Sequence, residues 1–465
     1  MSSNPPKHPL KSVIYPRSIA VIGASGTPGK IGYQILKNAI DQGYKGKIFP
    51  INPSESEIMG LKAHANVNDV PEEIDLACII VPNNVVPQVV EECGKKGVKG
   101  VIIYAGGFAE IGEKGAELQR KIVEAASKYG LRVLGPNING MFNGSISLNV
   151  SFNQFKTLDG PAAIVSQSGS FASGVVFESI RCGFGFNKFI ILGNRADVNE
   201  IEALDFLSSE PDVKGIAMYL ESISDERSFI EVAARTTKQK PIVCVKAGVS
   251  DAGVRAIKYT TASEVKGDPF MSSIFKESGV VMVKDGEELV DALFALIHQP
   301  LPRGNRVGIV TNSGGIAVIL TDRLGELGMK VPHLSEPVRQ KLSKIMLPIG
   351  SAHNPVDLTG SVTKESFRDS LTTLIESGEV DLVIATAIRS LFLPLEIFEG
   401  AYTEAAEIAR RNSVPFLVCM MGDDKMFDLF SSLRSKGIPC YPSPERAAKS
   451  AYHLYEYSKV REIAA

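Results

Sequence analysis

The sequence predicts an α/β protein built on parallel sheets, and three observations lead there. Short, uninterrupted apolar runs alternate with longer amphipathic stretches almost throughout, as expected for strands buried on both faces by helices. Those runs end in Gly, Ser, Asn or Pro, the residues of strand-to-helix turns where such sheets bind ligands. Finally, one nine-residue pattern occurs twice. Ile164-Val-Ser-Gln-Ser-Gly-Ser-Phe-Ala172 and Ile309-Val-Thr-Asn-Ser-Gly-Gly-Ile-Ala317 each combine a strand with the opening of a helix. Two copies of one supersecondary unit are implied, not a solenoid.

In chain order the predicted strands are SIAVIGAS, KIFPINP, LACIIVP, GVIIYAGG and RVLGPN, which end near Gly23, Asn52, Val81, Gly106 and Gly135. AAIVSQSG, KFIILGN, GIAMYLES and PIVCVKAG follow, then RVGIVTNSGG, LVIATAI and PFLVCMM. A chain of 465 residues exceeds one ordinary core. Three units are expected, spanning 1–143, 144–299 and 300–465, the second closing at the Pro/Gly linker QPLPRGN.

Bulk properties exclude several classes. A net charge of -2 lacks the basic excess of a nucleic-acid or membrane-surface binder. The six cysteines are scattered without a C-x-x-C pair, and Cys78 and Cys244 lie in strand-like runs, so reduced structural thiols are expected. The six histidines make no ligand cluster, so no metal site is signalled. The opening MSSNPPKHPLK has no signal-like apolar run and no stretch reaches membrane-spanning length, so a soluble cytoplasmic protein is expected.

Val21-Ile-Gly23-Ala-Ser25-Gly26-Thr-Pro-Gly29-Lys30 joins the first strand to a helix. Glycines let the backbone approach a phosphate, and a helix N-terminus offers unpaired N–H groups and partial positive charge. The spacing is G-x-x-G-x-x-G rather than G-x-G-x-x-G. The second strand ends Pro50-Ile-Asn52-Pro53, without the Asp or Glu that reads the ribose of NAD. Lys30 suits additional phosphate charge. An adenine nucleotide with phosphates of its own therefore gains over NAD, the competing reading being a tight turn that is merely glycine-rich.

The run PRSIAVIGASGTPGKIGYQILKN, with IFPINP, CIIVPNNVV, IIYAGGFAE and LRVLGPNINGMFN, resembles the CoA-binding domain of ADP-forming acyl-CoA synthetases and succinyl-CoA synthetases. The resemblance continues through AAIVSQSGSFASGV, ILGNRADVNEIEALDFL, MYLESISDERSF, IVTNSGGIAVIL and HNPVDLTGSV to YPSPERAAKSAYHL. It implies a Rossmann-like CoA-binding domain followed by two flavodoxin-like, succinyl-CoA-synthetase-like parallel-sheet domains. It carries the CoA site onto Gly23, Ser25, Gly29, Lys30, Asn52, Pro53, Pro82, Gly106, Phe108 and Asn137, with ordinary core as the other reading of Phe108. It also implies an ATP-grasp β partner that binds ADP or ATP with Mg, because no such segment is visible here. Self-association is a further implication.

In that family an acyl-CoA reacts with phosphate to give acyl phosphate and free CoA. The phosphoryl group then moves to a histidine and on to ADP. Phosphate needs anion holders, and the repeat offers Ser168-Gly169 and Ser313-Gly314-Gly315, each opening a helix. Plain helix caps use the same residues. Glu221, ending GIAMYLES, matches the glutamate that steadies the phosphohistidine.

One departure concerns the chemistry itself. After Lys246-Ala-Gly-Val-Ser-Asp-Ala-Gly-Val-Arg255, the family reads S-S-H-T-G-S; this chain reads Lys258-Tyr259-Thr260-Thr261-Ala262-Ser263. Thr260 stands at the histidine position. A phosphothreonine ester is far more inert than a phosphoimidazole, and the Tyr259 phenol is mostly protonated at neutral pH. The relay is expected to be lost or rerouted, with His353 beside Asn354-Pro-Val-Asp357 as the remaining candidate carrier. Surface or loop positions are expected for the other histidines. Two alternatives stand: a non-catalytic CoA- or acyl-CoA-binding regulatory subunit, and an NAD(P)-binding oxidoreductase.

Overall fold

The computed structural model describes residues 8–154, 159–258, 268–389 and 393–464. The chain divides into two compact units, Met1–Phe177 with Gly185–Lys284, and Glu178–Phe184 with Asp285–Ala465.

The first unit contains two large sheets and a small antiparallel pair, Glu57–Ile58 with Leu61–Lys62. One has the strand order Lys47–Ile51, Ser18–Ile22, Leu76–Ile79, Gly100–Ile103, Arg132–Leu134, every pair parallel. All five residues of Ser18–Ile22 are buried, which explains why the strand reads as a continuous apolar run rather than an alternation. The helix Val86–Lys96 stops at Gly97, which takes the left-handed cap conformation at φ 80°. The other sheet runs Val281–Val283, Ile242–Lys246, Gly215–Leu220, Ala162–Ser166, Phe186–Ile191, then Met141–Asn143 and Leu148–Asn149. Its last two strands pair antiparallel.

Two charged clusters tie this unit together. Arg132 holds Asp197 through Nε at 2.9 Å and Glu202 through Nη1 at 2.7 Å. Lys188 is fully buried, and its ammonium pairs with Asp212 at 2.7 Å and Glu210 at 3.4 Å. A buried lysine persists only with such partners.

The second unit is one sheet: Val356–Asp357, Val307–Thr311, Leu382–Ile388, Phe416–Met421, Cys440–Tyr441, all parallel. Counting only the five parallel strands of each in chain order, all three large sheets read 2-1-3-4-5. The first strand of each therefore sits where the winding reverses, the crevice in which doubly wound sheets bind ligands. The expected α/β architecture is what the chain adopts.

The C-terminal helix Pro444–Ala464 packs on this last sheet and meets the helix Gly286–His298 through Glu288, which lies 2.8 Å from His453 Nε2 and 2.9 Å from Lys449 Nζ. His453 is thus buried, correcting the expectation of a surface or loop position. Burial acts to raise the Glu288 carboxyl, but the hydrogen bonds from His453 and Lys449 prevail and hold it at about 2, below its ordinary 4.5. Its contribution to stability is therefore present above pH 4.5 and lost as pH falls from there through about 2. Acid unfolding followed by circular dichroism should steepen in that window, and Glu288→Gln should flatten it.

Candidate functional site

The glycine loop leaves the reversal point of the first sheet. Gly23 has φ 91°, and a Cβ there would come within 2.2 Å of Ile80 O, so only glycine fits. A Cβ at Gly32, in the first turn of the helix Ile31–Asp41, would lie 2.0 Å from Gly23 O, so helix and loop approach as closely as backbones can. Ser25 is buried and its Oγ accepts from Thr27 N at 3.1 Å, bending the loop. Gly26 through Lys30 are exposed, and Gly29 has φ 88° with open space where a Cβ would go. Lys30 is the residue preceding the helix, and its side chain caps nothing.

Asn52 holds this loop. Its Nδ2 donates to Ala24 O at 2.9 Å and to Glu55 Oε1 at 3.1 Å, while its Oδ1 accepts from Ser54 N at 2.8 Å. Pro53, which follows it, and Pro82 are exposed in their loops. Glu55 escaped the sequence reading, which looked for a carboxylate only at the strand end. Its Oε2 lies 3.2 Å from where a Gly26 Cβ would sit.

The next two strand ends are locked by Glu110. Its carboxylate accepts from Gly107 N at 2.5 Å, Phe108 N at 3.1 Å and Asn194 Nδ2 at 2.6 Å. Asn137, at φ 65°, donates through Nδ2 to Asn194 Oδ1 at 3.3 Å. Gly106 is exposed, with Asn137 Oδ1 3.2 Å from where its Cβ would be. Phe108 corrects one expectation: its ring is 0% exposed and belongs to the core of the first sheet, so it offers no face to a ligand. No spacing signal joins Glu110 to Asn194, which are 84 residues apart.

The repeated pattern is repeated in its hydrogen bonds. At the reversal point of the second sheet, Ser168 N donates to Ser166 Oγ at 3.0 Å, which itself donates to Ser168 O at 2.7 Å. At that of the third, Ser313 N donates to Thr311 Oγ1 at 2.9 Å, which donates to Ser313 O at 3.0 Å. Gln167 clamps the neighbouring strand end, its Oε1 accepting from Glu221 N at 2.7 Å and its Nε2 donating to Ser222 O at 2.8 Å. Asn312 does the same, to Ile388 N at 2.8 Å and Ile388 O at 3.1 Å. Each turn opens a thirteen-residue helix, Gly169–Arg181 and Gly314–Glu326.

The surroundings of the two turns differ in charge. Gly169 packs against the neutral amide of Asn139, whose Oδ1 is buried without a hydrogen-bond donor. Gly314 faces a carboxylate: Asp357 Oδ2 lies 3.1 Å from where its Cβ would be. Gly315 is exposed with open space around it. The two turns belong to different compact units.

Glu221 follows the strand Gly215–Leu220 and is 3% exposed, not solvated as a strand-end acid usually is. Lys246 ends the adjacent strand and is also buried, its ammonium bonding Ala247 O. Arg255 is exposed on the helix Asp251–Lys258. Thr260 and Tyr259 lie outside the described residues. His353 is exposed, its N–H donating to Ser351 Oγ at 3.4 Å. Among the described residues no cluster of His, Cys, Asp and Glu could hold a metal, and no helix is long and apolar enough to cross a membrane.

Three family profiles match the chain in succession: a CoA binding domain over residues 17–143, a succinyl-CoA ligase-like flavodoxin domain over 159–296, and a ligase-CoA domain over 307–459. The α subunit of acetate–CoA ligase (ADP-forming) II from Pyrococcus furiosus is 38% identical over 96% of this chain and 97% of its own length. The chain belongs to the ADP-forming acyl-CoA ligase family and corresponds to the α-subunit region of its members. It is also 38% identical to a Methanocaldococcus jannaschii acetate–CoA ligase (ADP-forming), covering 97% of this chain but 64% of that protein. Among solved structures, dinucleotide-forming acetyl-coenzyme A synthetase 1 of Ca. Korarchaeum cryptofilum, in complex with phosphate and ADP, superposes with a TM-score of 0.91. It is 35% identical, with 97% of each chain covered.

In this ligase-family chain the Gln167 amide fixes the backbone that carries Glu221. Gln167→Ala strips the buried Glu221 and Ser222 N–H groups of their acceptor and should cost about 1–3 kcal/mol. A lowered urea midpoint checks this.

Proposed function

We propose that this α subunit binds CoA or an acyl-CoA in the crevice of its first sheet and that its phosphoryl relay is interrupted at Thr260. The observation that carries the CoA reading is the exposed Gly26–Lys30 backbone at the reversal point, next to the start of a helix. N–H groups there, the helix dipole and the Lys30 charge suit a phosphorylated adenine nucleotide. Gly23, Ser25 and Asn52 shape the loop, and Pro53, Pro82, Gly106 and Asn137 line the successive strand ends.

Inorganic phosphate is assigned first to the Ser168-Gly169 turn, beside a neutral amide. The Ser313-Gly314-Gly315 turn carries the Asp357 carboxylate, so an anion there would meet repulsion unless a cation accompanied it. Glu221 and the basic pair Lys246 and Arg255 are the charged groups of the family's relay that this sequence keeps. Imidazole accepts and releases a phosphoryl group near neutral pH, whereas a threonine hydroxyl holds it as a stable ester. Transfer to ADP, with Mg, would take place on an ATP-grasp β partner, and self-association is a further possibility. The three modules are read as 1–143, 144–299 and 300–465, acting in the cytoplasm.

A second reading, a non-catalytic CoA- or acyl-CoA-binding regulatory subunit, is favoured by the same Thr260. Two variants test these assignments. Gly29→Glu places a carboxylate where phosphate would approach and should weaken CoA binding at least about tenfold, or 1.4 kcal/mol, in calorimetric titration. Unchanged affinity would remove the site. Thr260→His, mixed with a β subunit from a Pyrococcus relative and labelled ATP, should take up acid-labile label that the natural chain does not. Equal labelling of the natural chain would show a rerouted carrier, with His353 the first candidate.

A further inference from the structure

Glu55 stands beside the exposed turn of the first crevice, and the phosphate chemistry assigned to that crevice has no use for it. Asn52 fixes its position. The Asn52 Nδ2 donates both to Ala24 O at 2.9 Å and to Glu55 Oε1 at 3.1 Å, so one amide holds the loop and the carboxylate together. Glu55 Oε2 is left on the side of Gly26, 3.2 Å from where a Cβ would sit. Among the described residues Glu55 makes no ion pair with Lys, Arg or His, and Lys30 makes none with a carboxylate.

The exposed stretch Gly26–Lys30 is therefore polar along its length. A carboxylate lies beside its first residue, and its last carries an ammonium at the start of the helix Ile31–Asp41. Phosphate is stabilised at the Lys30 end, where side-chain charge and helix dipole agree, and is opposed at the Gly26 end. An ionised carboxylate only accepts hydrogen bonds. The part of a ligand that meets Glu55 must carry a donor such as a hydroxyl, not a phosphate.

CoA carries a diphosphate on the 5′ carbon of its ribose and a phosphate on the 3′ carbon, so the 2′-hydroxyl is the one ribose hydroxyl it has free. Glu55 follows the second strand, the neighbourhood from which a dinucleotide fold presents an acid to a ribose hydroxyl. We infer, resting on the CoA reading proposed above, that Glu55 accepts a hydrogen bond from the nucleotide's 2′-hydroxyl. The crevice thereby selects a free 2′-hydroxyl over a 2′-phosphate.

Adenosine 3′,5′-bisphosphate and adenosine 2′,5′-bisphosphate carry the same number of phosphates and differ in which ribose hydroxyl is free. The test is calorimetric titration of the intact chain with each isomer and with CoA. CoA should bind, and the 3′,5′ isomer should bind at least about tenfold tighter than the 2′,5′ isomer. Glu55→Gln keeps an oxygen for Asn52 Nδ2 and sets an N–H donor in place of Oε2. It should weaken the 3′,5′ isomer, strengthen the 2′,5′ isomer and cut the preference below about threefold, with an unchanged melting midpoint. No heat with CoA would remove the CoA reading and this role with it. CoA binding with the two isomers alike, or a preference undiminished in the Glu55→Gln chain, would overturn the role of Glu55 and leave the CoA reading standing.

Discussion

Everything proposed for this protein's chemistry depends on a constraint of sheet winding. A parallel sheet covered on both faces has no room for a ligand along its strands, only beyond their ends. Beside the first strand the chain winds outward in two directions, and the crevice opens there. All three large sheets share the 2-1-3-4-5 order, so the loop after each first strand inherits that position. Residue choice follows from it: Gly23 and Gly32 are required because loop, helix and the adjacent strand end meet at backbone distance.

The second and third sheets show how far such a frame can be reused. A hydroxyl two residues before the turn serine, and an amide one residue before it, make the same bonds in both copies. Those bonds set the geometry, whereas the charge is set by residues outside the repeat. Asn139 stands beside one turn and Asp357 beside the other, so two copies of one turn have a neutral neighbour in one case and an anionic one in the other. The electrostatic setting differs with no change in the turn itself.

The twelve apolar runs were legible as strands because burial on both faces writes itself as uninterrupted hydrophobicity. Short edge strands such as Val356–Asp357 and Cys440–Tyr441 were not, since two residues carry no period. The antiparallel Met141–Asn143 was hidden inside what reads as a loop. At the site, loop glycines and turn serines could be read from local chemistry. Glu110 and Asn194 could not, because only folding brings them together, and of the two readings open for Phe108, ligand contact or core, its buried ring supports the core. Glu55 matters most among these omissions. It sets a carboxylate beside a loop otherwise suited to phosphate, in the neighbourhood where a dinucleotide fold would read a ribose.

Glu55 makes the choice of nucleotide the most informative question. Calorimetric titration of the natural chain with CoA, and separately with NAD, tests it directly. Saturable binding of CoA and none of NAD is the predicted result. Binding of NAD, or of neither, would contradict the assignment of the first crevice to CoA.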